Sequence, residues 1–411
     1  MRVAVVGLGK IGLPLAVQYA SRGLDVSGCD IDPARVERIN AGDCPIAGEE
    51  GLEAGLAAAL RDKRLHATTD TPAAVADSDV VVVIVPVGLT PQRAPDFSHL
   101  DAAVDAIAAG LRPGTLVVVE STVPVGTTRG RVGAKLPDTL LAASPERVSS
   151  GRILRDLKTY PKIIGPLDDA SWQKAEAFYS AALEAPCLLR VRDPETAEFA
   201  KLAEGIYRDV NIALAGELAR YADSAGVDAT EAIDAANTQP YSHLHQPGVG
   251  VGGHCLPVYP HFLPEGAVEI AARAREANDS MAAYGIAKLE EALGSLAGAT
   301  VLILGLAYRP NVKESAYSSA LLLAEALRAR GARPLVHDPW FSDDEIRALG
   351  LEPPEAFPLR VDAIVVQALH DAYGELDFGS FAGLRAVLDG RNVLDRAKVE
   401  AADVWYAGIG R

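Results

Sequence analysis

The chain has 411 residues, of which 49% are hydrophobic and 23% charged, and a formal net charge of −16. That length exceeds one ordinary core, so two or three folded domains are expected, and the composition excludes a disordered chain. The acidic balance argues against a nucleic-acid surface, so an anionic ligand must be held by local donors and not by the overall field.

The opening "MRVAVVGLGKIG" passes from a short apolar run straight into glycines, which is not the pattern of a signal peptide. Strands are expected at Arg2–Val6, Val26–Cys29, Val80–Val85, Leu116–Glu120 and Thr139–Ala143. Helical patterns separate them, the rhythm of a parallel sheet. The run Val80 to Leu89 is a buried strand, far too short to span a membrane. From Thr196 to Ser224 the pattern becomes one long helix. At ~100° per residue, Phe199, Leu202, Ala203, Ile206, Val210, Ala213, Leu214 and Tyr221 share one side, and Lys201, Glu204, Arg208 and Asn211 the other. The βα rhythm restarts at Ala299–Pro310 and continues through Pro334–Pro339, Asp362–Leu369 and the terminal "DVWYAGIGR". The expected fold is α/β, with two doubly wound Rossmann-like domains joined by a long central helix. Its parts are residues 1–195, 196–292 and 293–411.

"GLGKIG", Gly7 to Gly12, follows the first strand and opens a helix. Gly7 permits the tight turn, Gly9 a close approach to a pyrophosphate and Gly12 helix–strand packing, with Lys10 and Ile11 at the helix start. Asp30 ends the second strand, where an acid accepts the ribose diol and repels a 2′-phosphate, so NAD is expected over NADP. "ESTVPVGTT", Glu120 to Thr128, and "SPERVSSGR", Ser144 to Arg152, follow later strands at the carboxyl edge of the sheet, the usual ligand crevice. On their own residues, the first equally reads as a helix cap and Glu146 as a solvated loop acid. Lys201 and Arg208 equally read as the wet face of the long helix.

The four cysteines, Cys29, Cys44, Cys187 and Cys255, show no paired metal spacing and are too few for a disulfide scaffold, which points to a reducing cytoplasm. One of them is presented unusually. "PGVGVGGHCLPVYPHFL", Pro247 to Leu263, places four glycines and three prolines around Cys255. Such a segment forms neither a good helix nor a good strand. It is either a surface turn or a rigid loop that lets a substrate approach a thiol.

Taken in order, "GLGKIGLPLA", "STVPVGTT", "SPERVSSG", "AKLAEGIYRDVNIALAGELA", "GVGVGGHCLP" and "GLAYRPNVKES" resemble the UDP-glucose/UDP-N-acetylhexosamine/GDP-mannose 6-dehydrogenase family over the whole chain. "PERV" and "RDVNIA" are more similar to the N-acetylhexosamine members, such as the UDP-N-acetylmannosamine dehydrogenases. The resemblance implies oxidation of a primary alcohol to a carboxylate with two NAD and no metal. It makes Cys255 the nucleophile that forms a thiohemiacetal and then a thioester. Lys201 becomes the cation that stabilises alkoxide and oxyanions, Glu146 the carboxylate handling protons or water, and Thr122 the orienting hydroxyl. Pro86, Ser121 and Thr122 join the glycine loop and Asp30 in holding the cofactor. Arg147, Val148, Arg208, Asn211, Gly252, Gly253, Tyr259 and Arg309 join Glu146 and Lys201 around the nucleotide sugar. The resemblance also implies a homodimer built on the long helix.

The sequence departs from the family at telling positions. An asparagine usually follows the lysine by four residues and an aspartate the cysteine by four; here these are Gly205 and Tyr259. A glycine inside a good helix costs ~1 kcal/mol relative to alanine, so the bulk gained at Tyr259 is expected to occupy the volume lost at Gly205. A phenol of pKa ~10 is a poor base at neutral pH, which leaves water activation to Glu146. Arg309 takes a lysine position, and Lys313, Ala316 and Tyr317 replace acidic and arginine positions. Tyr241 stands near an arginine position of the family, while His243 and His245 read as loop or interface residues. Two other functions share the fold: a two-electron hydroxyacid-type dehydrogenase needing no thiol, and a nucleotide-sugar-binding homologue without activity. The sugar and the base, UDP, dTDP or GDP, are left open.

Overall fold

Val3 and Val5 point into one buried core, and Ala4 and Val6 into another on the opposite face of the same strand. A strand covered on both faces must be apolar throughout, which is why "RVAVV" and the four valines Val80–Val83 read as unbroken runs. The computed structural model describes residues 1–184 and 187–411. The chain divides into two units, Met1–Glu204 with His261–Pro264, and Gly205–Pro260 with Glu265–Arg411.

The first unit holds β1 (Arg2–Val6), β2 (Asp25–Cys29), β3 (Leu65–Thr68), β4 (Val80–Val83), a short antiparallel pair β5 (Gly88–Leu89) and β6 (Pro95–Asp96), then β7 (Leu116–Val119), β8 (Leu140–Ala143), β9 (Lys162–Pro166) and β10 (Leu188–Arg190). The eight-stranded sheet runs β10-β9-β8-β7-β4-β1-β2-β3 and is parallel except where β9 meets β8. The strand order reverses between β1 and β4, and the crevice beyond their carboxyl ends is where such sheets bind ligands. Two expected strands stop early. β4 ends at Val83 and β7 at Val119, because the Val83 carbonyl takes both the Glu120 and Ser121 N–H and turns the chain off the sheet.

The second unit contains a five-stranded parallel sheet of β11 (Thr300–Leu304), β12 (Arg333–His337), β13 (Ala363–Val366), β14 (Ala386–Asp389) and β15 (Trp405–Gly408), ordered β12-β11-β13-β14-β15. Val301 and Ile303 feed one core and Leu302 and Leu304 the other. Its switch point lies between β11 and β13. Among the described residues no helix is long and apolar enough to cross a membrane.

The long helix spans Pro194–Ala225, two residues longer at its start than the sequence pattern gave. Its faces differ from expectation. Phe199, Leu214 and Tyr221 are 50%, 44% and 71% exposed, with Ala203 exposed and Ile206 and Val210 half-buried. The buried stripe of its C-terminal part consists of small residues, Gly205, Ala213, Ala215, Gly216, Ala219 and Ala222, together with Asp209. Close packing is the reason. A Cβ at Gly216 would lie 3.1 Å from the Met281 sulfur on the helix Glu269–Leu293. Across the same contact Arg275 donates to Asp209 at 2.8 Å, and the Asn278 amide donates to the Asp209 carboxylate at 2.8 Å.

Burial pushes the Asp209 carboxyl up to about 6, although the Arg275 charge and the Asn278 hydrogen bond oppose it. The folded form therefore holds this proton at a higher pH than the unfolded chain, whose reference value is 3.8. That contribution to stability is complete below the reference value and is lost as pH rises through about 6. Asp209→Asn should remove this part of the decline, so its urea midpoint should fall less between pH 4 and 6 than that of the parent. Identical slopes would contradict the assignment.

Candidate active site

The glycine loop is held by its own backbone. Gly7, at φ +101°, donates to the Cys29 carbonyl at 2.8 Å, and Leu8 N–H donates to Asp30 Oδ2 at 2.9 Å. A Cβ at Gly12 would lie 1.8 Å from the Gly7 carbonyl oxygen, so no other residue fits there. At Gly9 a Cβ would meet nothing, which leaves the loop open toward the crevice. The helix Gly12–Ser21 starts with no side-chain cap and no acid in its first turn. Open backbone at Gly9 above an uncapped helix start, with Lys10 and Ile11 between, fits the pyrophosphate of a dinucleotide. Asp30 is more occupied than the sequence implies. Its carboxylate also receives Asp32 N–H at 3.0 Å and the Arg35 guanidinium at 3.1 Å, three donors on about four lone-pair sites. A ribose hydroxyl arriving there would compete with Arg35.

Beyond β4 and β7 the chain places Pro86, exposed, beside Ser121, whose hydroxyl donates to the Val85 carbonyl at 2.6 Å. Thr122 follows, half-buried. Glu146 leaves the end of β8 and is tied back by its N–H to the Glu120 carbonyl at 3.0 Å. Its side chain is not the solvated loop acid of one sequence reading. Lys162 Nζ, buried at the start of β9, donates to Glu146 Oε2 at 2.7 Å and to Glu120 Oε2 at 3.0 Å. Burial raises the Glu146 carboxyl, but the charge and hydrogen bond of Lys162, with Arg147 N–H and the Lys201 charge, hold it below the usual range. Lys201 thus acts electrostatically on Glu146. Arg147 donates to Glu204 at 2.7 Å, and Val148 packs against the core of the first unit. Sequence reasoning missed Lys162 and Glu120. The available signal was "KIIGP", in which a lysine occupies the same strand face as buried Ile164.

In the second unit Cys255 is exposed and carries a free thiol. Its carbonyl accepts the Val258 N–H at 3.1 Å and the Tyr259 N–H at 2.9 Å, so the thiol sits on a closed turn. The glycines before it have an intramolecular cause. Cβ atoms at Gly252 and Gly253 would lie 2.7 and 3.2 Å from Tyr308, and Gly250, at φ +122°, approaches Ser319. Gly253 N–H donates to the Ala316 carbonyl at 2.8 Å, Val249 N–H to the Gly390 carbonyl at 3.0 Å, and Arg391 to the Gly250 carbonyl at 2.9 Å. The loop is thereby fastened to segments that follow β11 and β14. His254 pairs with Glu314 at 3.0 Å. Burial raises the Tyr308 phenol, whose ring packs on the loop at Gly253. Arg309 stands 5.9 Å from the Tyr308 ring centroid.

Tyr259 is 6% exposed, and its ring covers Gly205: a Cβ there would lie 2.4 Å from Tyr259 Cδ2. The residue gained and the residue lost relative to the family are in direct contact. Asn211 holds chain, not open crevice, donating to the His243 carbonyl at 2.6 Å and accepting the His245 N–H at 2.9 Å. Arg208 is exposed one turn earlier.

The chain as a whole is similar to known proteins. Residues 1–183 match the UDP-glucose/GDP-mannose dehydrogenase family NAD binding domain, 195–281 its central domain, and 302–396 its UDP binding domain. The chain is 35% identical to a UDP-N-acetyl-D-mannosamine dehydrogenase of Pyrococcus horikoshii, covering 100% of this chain and 99% of the relative. It is 34% identical to an NDP-N-acetyl-D-galactosaminuronic acid dehydrogenase of Ralstonia nicotianae, covering 97% of each. The solved structure of a UDP-D-ManNAc dehydrogenase from Pyrococcus horikoshii superposes with a TM-score of 0.91 at 33% identity, over 100% of this chain and 99% of that one.

The contact between Gly205 and Tyr259 makes a signed prediction. Gly205→Ala should destabilise the protein by roughly 1–3 kcal/mol, because the added methyl overpacks against the ring. In a Tyr259→Asp background the same substitution should stabilise by up to about 1 kcal/mol through helix propensity alone. Equal effects in both backgrounds, read by urea denaturation, would show that the two residues do not share the space. Asp30→Asn should weaken NAD, raising its KM about tenfold or more, and shift preference toward NADP by freeing Arg35. An unchanged NADP/NAD ratio of kcat/KM would refute that role.

Proposed function

Because the chain belongs to the UDP-glucose/GDP-mannose dehydrogenase family and is an NAD-dependent dehydrogenase of nucleotide sugars, we propose that it oxidises the C6 hydroxyl of a nucleotide-diphosphate sugar to a carboxylate through a thioester on Cys255. The observation that carries this reading is the exposed, free thiol of Cys255 on a turn closed by two backbone hydrogen bonds. The preferred substrate is a UDP-N-acetylhexosamine, supported by the names of the relatives above; UDP-glucose and dTDP-glucose stand behind it.

NAD, when bound, supplies the acceptor for a hydride in each of two steps. The residues of the chain do the rest. The alcohol loses a proton and a hydride to become an aldehyde. The Cys255 thiolate adds to that carbonyl and gives a thiohemiacetal, which loses a second hydride to become a thioester. Water cleaves the thioester, returning the thiol and the carboxylate. Lys201 would stabilise the successive oxyanions, Thr122 would orient the hydroxyl, and Glu146, held ionised, would take the proton from the attacking water. Tyr259 offers no charge in place of the family's aspartate, which concentrates water activation on Glu146. The roles divide over the chain as NAD on residues 1–195, the thiol loop on 196–292, and the nucleotide on 293–411 with Arg309 at its phosphates. Four free cysteines support a reducing compartment such as the cytoplasm.

A homodimer is part of this reading. Tyr207, Leu214, Leu218 and Tyr221 are 56%, 44%, 37% and 71% exposed and recur on one face of the long helix, a surface suited to a second copy.

The decisive measurement is NADH release over a panel of UDP-, dTDP- and GDP-sugars. Two NADH per sugar are expected for the best substrate. Cys255→Ser should abolish carboxylate formation while leaving sugar binding intact. One NADH per substrate with a tolerated Cys255→Ser would mean a two-electron dehydrogenase; binding without NADH would mean an inactive homologue. Leu214→Glu combined with Tyr221→Glu should convert a dimer to a monomer in sedimentation, and a mass unaffected by both changes would exclude this helix face as the interface.

A further inference from the structure

The first unit contains a buried cation outside the motifs that carry the proposed chemistry. Lys162 is 5% exposed and serves two carboxylates that leave neighbouring strands, Glu120 after β7 and Glu146 after β8. Each carboxylate is held at both oxygens. Glu146 takes Lys162 on Oε2 and the Arg147 N–H on Oε1 at 2.7 Å. Glu120 takes Lys162 on Oε2, and on Oε1 the hydroxyls of Tyr179 at 2.5 Å and Tyr19 at 3.2 Å. The ammonium also lies 5.1 Å from the Tyr179 ring centroid. Two carboxylates and one lysine whose side chains are all less than a tenth exposed cannot be explained as a surface pair, and an ionic cluster of this kind is weak evidence for stability.

We propose that Lys162 is a positioning residue of the oxidation, aiming the Glu146 carboxylate and keeping it ready to accept a proton while Glu120 anchors the lysine from behind. The inference rests on the reading of Glu146 as the carboxylate of the reaction. Its asymmetry supports it. Burial raises Glu120, whereas Lys162, Arg147 N–H and Lys201 hold Glu146 low, so a proton entering the cluster goes to the rear carboxylate first. Paired carboxylates with separated affinities mark which one stays ionised for work. The groups facing Glu146 are Lys162 and Glu120, the Tyr19 and Tyr179 phenols from the helices Gly12–Ser21 and Asp169–Ala182, Lys201 on the long helix, and the Arg147–Glu204 pair.

The test is the pH dependence of kcat/KM for the best nucleotide sugar. Lys162→Met removes the cation, so Glu146 should protonate more easily and the acid limb should move up by about one unit or more. Lys162→Arg keeps charge and donor and should leave the limb in place. Glu120→Gln leaves the lysine to Glu146 alone and should keep the limb at or below its wild-type position. If Lys162→Met does not fold, the neutral pair Glu120→Gln with Lys162→Met should show the same upward shift. A limb unmoved by loss of the cation, or raised by Glu120→Gln, overturns the inference even when the wild type makes two NADH per sugar. If the wild type makes none from any nucleotide sugar, the functional reading itself fails, a separate result.

Discussion

In each unit one carboxylate at the end of a second strand holds the glycine turn that follows the first. Asp30 takes the N–H of Leu8, and Asp338 takes those of Leu306 and Ala307 at 2.8 and 2.9 Å. The turn glycines match as well, since Gly7 and Gly305 have φ near +101° and +95° and donate to the carbonyls of Cys29 and His337. A buried acid that captures free backbone N–H groups relieves the cost of leaving them unpaired. It also fixes where the chain leaves the sheet, and so where each crevice opens. His370 Nε2 adds a bond to Asp338 at 2.9 Å, while its Nδ1 accepts the Asn311 N–H, so the second turn is tied further along the chain than the first. The two units share a device without sharing a recognisable sequence repeat.

The cysteine loop depends on the second of these frames. Its glycines are needed where backbone meets Tyr308 and the segment around Ser318, and its carbonyls and N–H groups are spent on Arg391, Ala316 and Gly390. Arg391 itself is half-buried, with the Gln367 carbonyl and side chain as further acceptors, and burial brings its guanidinium down to about 10. A thiol mounted in this way is rigid at its base and exposed at its tip, a combination suited to a nucleophile. The same logic explains Tyr259. An aromatic side chain pressed onto a helical glycine fills volume and lacks charge, so the loop keeps its shape while losing a carboxylate.

Charge is concentrated where shape alone could not supply function. The chain carries net negative charge, yet the buried Lys162 and the charge of Lys201 both act on Glu146 and hold its carboxyl low. Desolvation makes each such interaction stronger than at the surface and makes each unpaired partner costlier. That trade explains why Glu120 and Glu146 share one ammonium and why two tyrosine hydroxyls complete the rear carboxylate.

Much of this was legible in the residues. Valine and isoleucine runs bounded by glycines specify strands covered on both faces, and the spacing of Gly7, Gly12 and Asp30 specifies the tight turn between β1 and the helix that follows, because those constraints are local to the backbone. The Gly205–Tyr259 exchange was readable as a volume swap since both positions sit at fixed offsets from Lys201 and Cys255. Strands β3 (LHAT) and β14 (AVLD) were not, because neither is an unbroken run of β-branched residues. The long helix was misread in its faces because small residues buy close packing against the helix Glu269–Leu293, and periodicity counts only large apolar side chains. Lys162 and Arg391 were invisible for a related reason: a charge in sequence looks solvated until the fold brings it partners from strands and loops far along the chain. Local backbone geometry was thus written in the sequence, whereas which polar groups would be buried together was decided only by tertiary structure, since desolvation depends on neighbours that sequence distance does not reveal.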